Sequence, residues 1–264
     1  MHTKQQLFED LRQMHLKSTD TILIHTSMKA IGEVEGGAEG FIDALCEYFK
    51  DGLLLIPTHT WDNVNENQPI YDVSSTIPCI GLIPRLAAFR KDGYRSLHPT
   101  HSIWGHGKNA KEFLSGEEKA TTPGPVGGAW NRLSAVNAKI LLIGVGHNRN
   151  TFIHAVDELV DLENRLNPKP FDLTIIDSDG NKYQTSFHCH YCTESDDVSQ
   201  YFVNFEKAFV ALGAQYNGKL GNAEVKVVDA KKCEEILVNI YAHAKEDLCI
   251  SYMDIPESYY KTVA

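Results

Sequence analysis

TILIHTSMKAIGEVEGGAEGFIDALCEYFKDGLLLIP occupies residues 21–57, and the architecture follows from its pattern. Residues 21–25 (TILIH) are β-branched and apolar, as a strand buried on both faces requires. A turn-rich loop carrying Gly32, Gly36 and Gly37 comes next. Residues 38–49 return to helical period, Gly52 marks a stop, and LLLIP at 53–57 reads as a second buried strand. Strand, loop, helix and strand in this order form a βαβ unit with its two strands parallel.

The same alternation extends outward. Upstream, Leu7, Leu11 and Met14 recur at helical spacing, so residues 3–17 read as an amphipathic helix. Downstream, residues 58–79 form a long polar stretch without a period, a length that is often functional inside a compact domain. Residues 80–90 look helical and residues 95–107 irregular. TTPGPVGGAW at 121–130 holds too much Pro and Gly for a helix or a central strand. KILLIGV at 139–145 is a third buried strand, succeeded by a helical segment from Thr151. Residues 171–177 and 182–190 suggest a hairpin around DSDGN. Helices are expected over 199–212 and 230–244, with a strand at 224–228 between them. These elements predict a mixed α/β sandwich in one domain spanning residues 1–264. Ligands of such sheets bind beyond the carboxyl ends of the parallel strands. The loops after His25, Pro57 and Gly144 are therefore expected to meet at one site.

Composition narrows the function. The formal charge of −10 argues against nucleic acid as a partner and suits either a cationic substrate or simple solubility. No apolar run is long enough to cross a bilayer, so no membrane partner is expected. MHTKQQLFEDLRQMHLK lacks the apolar centre of a signal peptide, and a cytoplasmic protein is the expectation. Six scattered cysteines make no dense disulfide framework.

Four constellations could carry chemistry. In HTSMKAIGEVEGGAEG (25–40), hydroxyls, Lys29 and glycine backbone N–H groups could receive a phosphate or pantetheine group, although the spacing matches neither a Walker A loop nor GxGxxG. The bland alternative is a glycine-rich turn with a helix cap. RSLHPTHSIWGHG (95–107) offers His98, His101 and His106 without a carboxylate or cysteine at ligand spacing. In GVGHNRNTFIHAVDE (144–158), helical spacing puts Thr151, His154 and either Asp157 or Glu158 on one face, a plausible general base with an orienting acid. FHCHYC (187–192) holds one CxxC flanked by His188 and His190. Strand alternation sends those histidines away from Cys189, so no tightly bound metal is expected there.

In order along the chain, these segments resemble the aminoglycoside 3-N-acetyltransferase family. The match rests on His25-Thr26-Ser27, on Gly32-Glu33-Val34-Glu35-Gly36-Gly37 and on Pro57-Thr58. It continues through Arg95-Ser96-Leu97-His98-Pro99-Thr100-His101-Ser102, a tighter version of the Thr-Pro-x-Gly-Pro motif at residues 121–125, and Asn150, Thr151 and His154 after Gly144 and Gly146. The resemblance implies a fold distinct from the GNAT acetyltransferases. It also implies direct transfer of an acetyl group from acetyl-CoA, as cosubstrate, to the 3-amino group of a 2-deoxystreptamine aminoglycoside. His154 would be the base, Asp157 its acid, and His98 would sit beside the thioester. The coenzyme would lie on His25, Thr26, Ser27, Lys29, Ile31, Gly32, Val34, Gly36 and Gly37, with Ser96, Pro99, Ser102, Thr122 and Pro123 completing its site. Asp62, Glu158, Asp196 and Asp197 would hold the cationic amine. A small-molecule amine is the expected partner, with a homodimer as the assembly considered. The C-terminal third departs from the family pattern, leaving another amine as the alternative acceptor. A zinc-dependent hydrolase using histidines 98, 101, 106, 188 and 190, and a non-catalytic coenzyme-binding protein, are the rival classes.

Overall fold

A computed structural model describes residues 1–261. Its centre is a seven-stranded sheet in the order β4-β5-β2-β1-β6-β10-β9. The strands are β1 (Thr21–Thr26), β2 (Leu53–Pro57), β3 (Ile70–Asp72), β4 (Tyr94–Arg95), β5 (Ile103–Gly107), β6 (Lys139–Ile143), β7 (Phe171–Ile176), β8 (Lys182–Phe187), β9 (Gln215–Leu220) and β10 (Ala223–Asp229). β1 pairs parallel with both β2 and β6, as the βαβ pattern demands. β5 and β10 run antiparallel at the flanks.

Side-chain alternation along the central strands decides which layer each residue joins. Leu23, Leu55, Ile140 and Leu142 face helices Ala129–Ala135, Phe152–Leu159 and Ala230–His243, packing on Trp130, Phe152 and Phe209. Ile22, Ile24, Leu54, Ile56, Leu141 and Ile143 face the opposite layer, helices Lys4–Gln13 and Gly37–Tyr48, packing on Leu11 and Phe41. The result is the expected mixed α/β sandwich. A smaller sheet, β3-β7-β8, covers a third cluster built on Tyr71, Leu173, Ile175 and Phe187.

Several local expectations need correction. Residues 95–107 are not irregular: they end β4 and supply β5. IWGHG hides its strand character behind two glycines, and Gly105 is small because a Cβ there would lie 2.8 Å from Leu114 Cδ1. β9 (QYNGKL) went unread because its middle is polar and exposed, as an edge strand allows. The long stretch 58–79 contains β3, which pairs parallel with β7 and ties that stretch to the small sheet. Residues 121–130 end by entering helix Ala129–Ala135. The N-terminal helix stops at Gln13, with Met14 as its C-cap.

Candidate active site

The carboxyl ends of β1, β2 and β6 converge as the pattern predicted. They border a cavity of about 820 Å³ lined by His25, Thr26, Pro57, His59, Val145, Thr151 and His154. That volume lies in the usual range for small-molecule sites. The strand ends are drawn close by the backbone: Ser27 N–H donates to Ile143 C=O at 2.9 Å, continuing the β1–β6 ladder. Gly144 adopts φ +66°, and a Cβ there would meet Ala30 Cβ at 2.3 Å, so this crossing requires glycine.

The imidazoles of His25, His59, His101, His154 and His190 stand on the lining. Ring centroids are 4.0 Å apart for His154 and His190, 5.0 Å for His190 and His101, and 4.6 Å for His101 and His59. Trp130 organises one end of the group: its indole N–H donates to His101 C=O at 2.9 Å, and its ring lies against His59 and His25. Burial disfavours the charged form of each ring. It holds His154, His59 and His101 well below the ordinary histidine range, His25 at about 3 and His190 at about 4. The cavity is thus lined by neutral imidazoles, each with a nitrogen able to accept a proton. His25 Nε2, His59 Nε2 and His190 Nε2 are buried with no protein partner, an arrangement that suits hydrogen bonds to a ligand.

His154 projects from the first turn of helix Phe152–Leu159. Its Nδ1 lies 3.8 Å from Asp157 Oδ2, longer than a hydrogen bond. Asp157 is in turn held by Tyr241, whose hydroxyl donates to Oδ1 at 2.6 Å, and by Arg165, whose Nε is 3.6 Å from Oδ2. Burial pushes the Asp157 carboxyl up to about 6, against the pull of Arg165 and Tyr241. Arg165 also grips Asp247 with two hydrogen bonds, of 2.8 and 2.6 Å. His154, Asp157, Arg165 and Asp247 therefore form a charge chain running from the cavity into the protein.

Other expected residues lie elsewhere. Of the residues assigned to coenzyme, His25, Thr26 and Pro123 line the cavity, and Asp196 and Asp197 do so among those assigned to the amine. Asp197 also caps a helix by accepting from Ser199 N–H at 2.9 Å. His98 does not line the cavity. Its Nδ1 accepts from His101 N–H at 2.9 Å and its Nε2 donates to Thr122 C=O at 3.1 Å, so both nitrogens are already engaged. It braces the turn that presents His101. Ser96 Oγ accepts from Ile103 N–H, Ser102 Oγ bonds Thr58, and Pro99 C=O accepts from Thr60. All three are structural contacts of the same turn. Ile31 and Val34 are core residues, and Ser27 Oγ caps the short helix Met28–Ile31. Lys29 is exposed, and Gly32, Gly36 and Gly37 carry positive φ at the turns flanking the loop. Glu158 Oε1 accepts from Gly124 N–H at 2.7 Å and tethers the Thr122–Gly124 turn. Asp62 is exposed, while its neighbour Trp61 lines the cavity.

The sequence reading missed His59, Trp61, Arg149, Arg165 and Tyr241. His59 had a legible signal, because it sits two residues beyond the carboxyl end of a parallel strand. Tyr241 had none, since it reaches Asp157 across 84 residues. The histidines suggested for zinc are not gathered into a ligand set. Among the described residues, the group that brings three ligand atoms within 4.8 Å is Cys46, Asp92 and His106, and Arg90 already holds that aspartate.

A strand-end cavity whose lining carries neutral histidines, in a mixed α/β sandwich, is an arrangement suited to acid–base chemistry on a small molecule. The family described as Aminoglycoside 3-N-acetyltransferase matches residues 23–242, and the chain belongs to that family of acyltransferases. It is 24% identical over 254 residues to aminoglycoside N(3)-acetyltransferase III of Serratia marcescens, covering 88% of this chain and 94% of that one. It is 29% identical over 194 residues to a prophage-derived aminoglycoside N(3')-acetyltransferase-like protein of Bacillus subtilis, covering 62% of this chain and 68% of that one. Among solved structures, AAC-IIIb in a binary complex with CoASH superposes with TM-score 0.74 at 22% identity, covering 89% and 94% of the two chains. AAC(3)-IVa in complex with a gentamicin superposes with TM-score 0.78 at 19% identity, covering 98% and 94%. The fold is that of these acetyltransferases. No helix among the described residues is long and apolar enough to cross a membrane.

Proposed function

We propose that the chain transfers an acetyl group from acetyl-CoA directly to an amine of an aminoglycoside, at the 3-amino position of the 2-deoxystreptamine ring. One observation carries the chemistry: His154 is a partly buried, neutral imidazole on the cavity wall, backed by a carboxylate. The CoASH and gentamicin complexes of the structural neighbours support the choice of substrates.

An ammonium cannot attack a thioester, so the amine must first lose a proton. That first proton goes to solvent. As the free amine nitrogen bonds to the acyl carbon, His154 takes a second proton from it and Asp157 at 3.8 Å stabilises the resulting imidazolium. The carbon–sulfur bond breaks, and the proton on His154 passes to the departing thiolate, leaving a neutral amide. His59 Nε2 and His25 Nε2 are unpartnered at the cavity and available to hydrogen-bond the thioester end. Arg149 is exposed, lines the cavity and makes no ion pair among the described residues, which suits the phosphates of a coenzyme. Asp196 and Asp197 are exposed carboxylates on the lining, and Asp196, which caps no helix, suits a cationic amine. A cytoplasmic setting, where acetyl-CoA is available, accords with this reading.

A panel of deoxystreptamine aminoglycosides and simple amines with acetyl-CoA, monitored by free-thiol release, tests the proposal. Turnover is expected with the aminoglycosides, and its absence with every one of them while another amine reacts would overturn the choice of acceptor.

A further inference from the structure

The FHCHYC segment has no part in the mechanism above, yet it forms the wall opposite the strand ends. Leu166 and His190 form an antiparallel bridge. Asn167 N–H donates to Cys189 C=O at 3.0 Å, Cys189 N–H to Asn167 Oδ1 at 2.7 Å, and Tyr191 N–H to Arg165 C=O at 3.0 Å. Residues 188–191 are thus strapped to residues 164–167, the segment that supplies Arg165 to Asp157. The strap lays His190 over His154 with ring centroids 4.0 Å apart and planes tilted by 30°. Phe202 meets the His154 ring edge-on at 4.7 Å.

His154 needs such support. Asp157 Oδ2 is beyond hydrogen-bond distance from Nδ1, and among the described residues no group hydrogen-bonds the ring. Two soft torsions connect the imidazole to its helix. Without a hydrogen bond, packing alone sets the direction of its lone pair.

We propose that His190 is a positioning residue for the reaction, whose stacked ring holds the His154 imidazole in the orientation that accepts the amine proton. The proposal rests on the acetyl-transfer reading and adds the group that aims the base. Its geometry explains why the histidine is delivered by a strap tied to Arg165: the same clip fixes the ring above His154 and the guanidinium behind it. The groups facing His154 are Asp157 on its own helix, His190 and Arg165 from the strap and its partner segment, His59 beyond β2, and His101 before β5. The imidazoles are neutral, and the stack helps to exclude water from the His154 ring.

Two variants separate ring from nitrogen. His190→Phe keeps a flat ring over His154, and His190→Ala removes it. A misaimed base loses on the order of 10²-fold. His190→Ala is therefore expected to lower kcat by roughly 30- to 100-fold with the KM for acetyl-CoA little changed, and His190→Phe by about threefold. The His154 C2-proton titration, tracked by NMR in the free protein, is expected to move up in pH in His190→Ala, where water reaches the ring, and to stay near the wild-type position in His190→Phe. Equal losses in both variants would overturn the proposal, because they would assign the effect to the nitrogen. So would wild-type kcat in a folded His190→Ala protein. If the wild-type chain acetylated no amine, the acetyl-transfer reading would fail, while the titration would still decide whether His190 covers His154: identical titrations in wild type and His190→Ala would exclude it.

Discussion

The two walls of the cavity are built on different principles. The strand-end wall takes its shape from backbone pairing: His25, Thr26, Pro57 and Val145 stand where parallel strands stop, in a register set by the β1–β2 and β1–β6 ladders. The strap wall takes its shape from one short bridge, at Leu166 and His190, and from side-chain ties such as Cys189 N–H on Asn167 Oδ1 and Thr193 N–H on Asn164 Oδ1. A strand-end residue cannot shift without disturbing the sheet. A strap residue can shift at the expense of a few hydrogen bonds. The strand-end wall therefore belongs to folding, and the strap wall is where the site can be retuned.

The largest effect separates chemistry from both walls. His154→Ala is expected to lower kcat by roughly 10²–10⁴-fold while the calorimetric Kd for acetyl-CoA stays within about threefold, since general-base catalysis acts in the transition state. Near-normal turnover in this variant would assign the proton to another group. Next is Arg165→Met, at the join between strap and helix. It leaves the Asp157 carboxylate buried without its cation, Tyr241 still donating to Oδ1, and breaking a buried pair in this way typically costs about 3–5 kcal/mol. A thermal melt should fall by roughly 10 °C; a shift under about 2 °C would mean that the charge chain stabilises little.

The imidazole-rich lining predicts an acid sensitivity with a definite sign. His25, His59, His98, His101, His154 and His190 are held neutral by burial, with folded pKa values below the unfolded value of 6.5. Below about pH 6.5 the unfolded chain binds protons that the folded chain refuses, so each ring loses stability as pH falls from there toward its folded value, by up to about 1.4 kcal/mol per pH unit. Asp157, pushed up to about 6, and Glu117 and Glu158, each up to about 7, act in the opposite sense, losing stability as pH rises through that window. The histidines outnumber them. Urea unfolding should show stability falling between about pH 6.5 and pH 5, and a flat profile would break the picture of neutral buried rings. A smaller effect than that of His154→Ala is expected from Asp157→Asn, about tenfold in kcat, because the carboxylate acts on His154 across 3.8 Å rather than through a hydrogen bond.

The strand-end wall was legible in the sequence because its signals are local. TILIH, LLLIP and KILLI are short, turn-bounded apolar runs that read as buried strands, and the loops beyond their carboxyl ends are expected to meet. His154 and Asp157 were legible by helical spacing. The strap wall was not, because its residues are placed by distant partners: Tyr191 by Arg165, Cys189 by Asn167, and Thr193 by Asn164. His98 shows the limit of motif reading. It stands in the expected pattern, but its ring is closed on the backbone of its own turn and on Thr122.

Arg95 extends the contrast to the long stretch between β2 and β4. Its guanidinium is buried among oxygens of Thr58, Val73, Thr76 and Ser102, with no carboxylate among these partners. A cation solvated by backbone carbonyls is released only when those carbonyls all leave together. The backbone at Thr58 and at Val73–Thr76 is therefore tied to the opening of the sheet itself, and the hydrogen-bonded amides there should exchange with solvent deuterium on the timescale of β2 rather than of a surface loop.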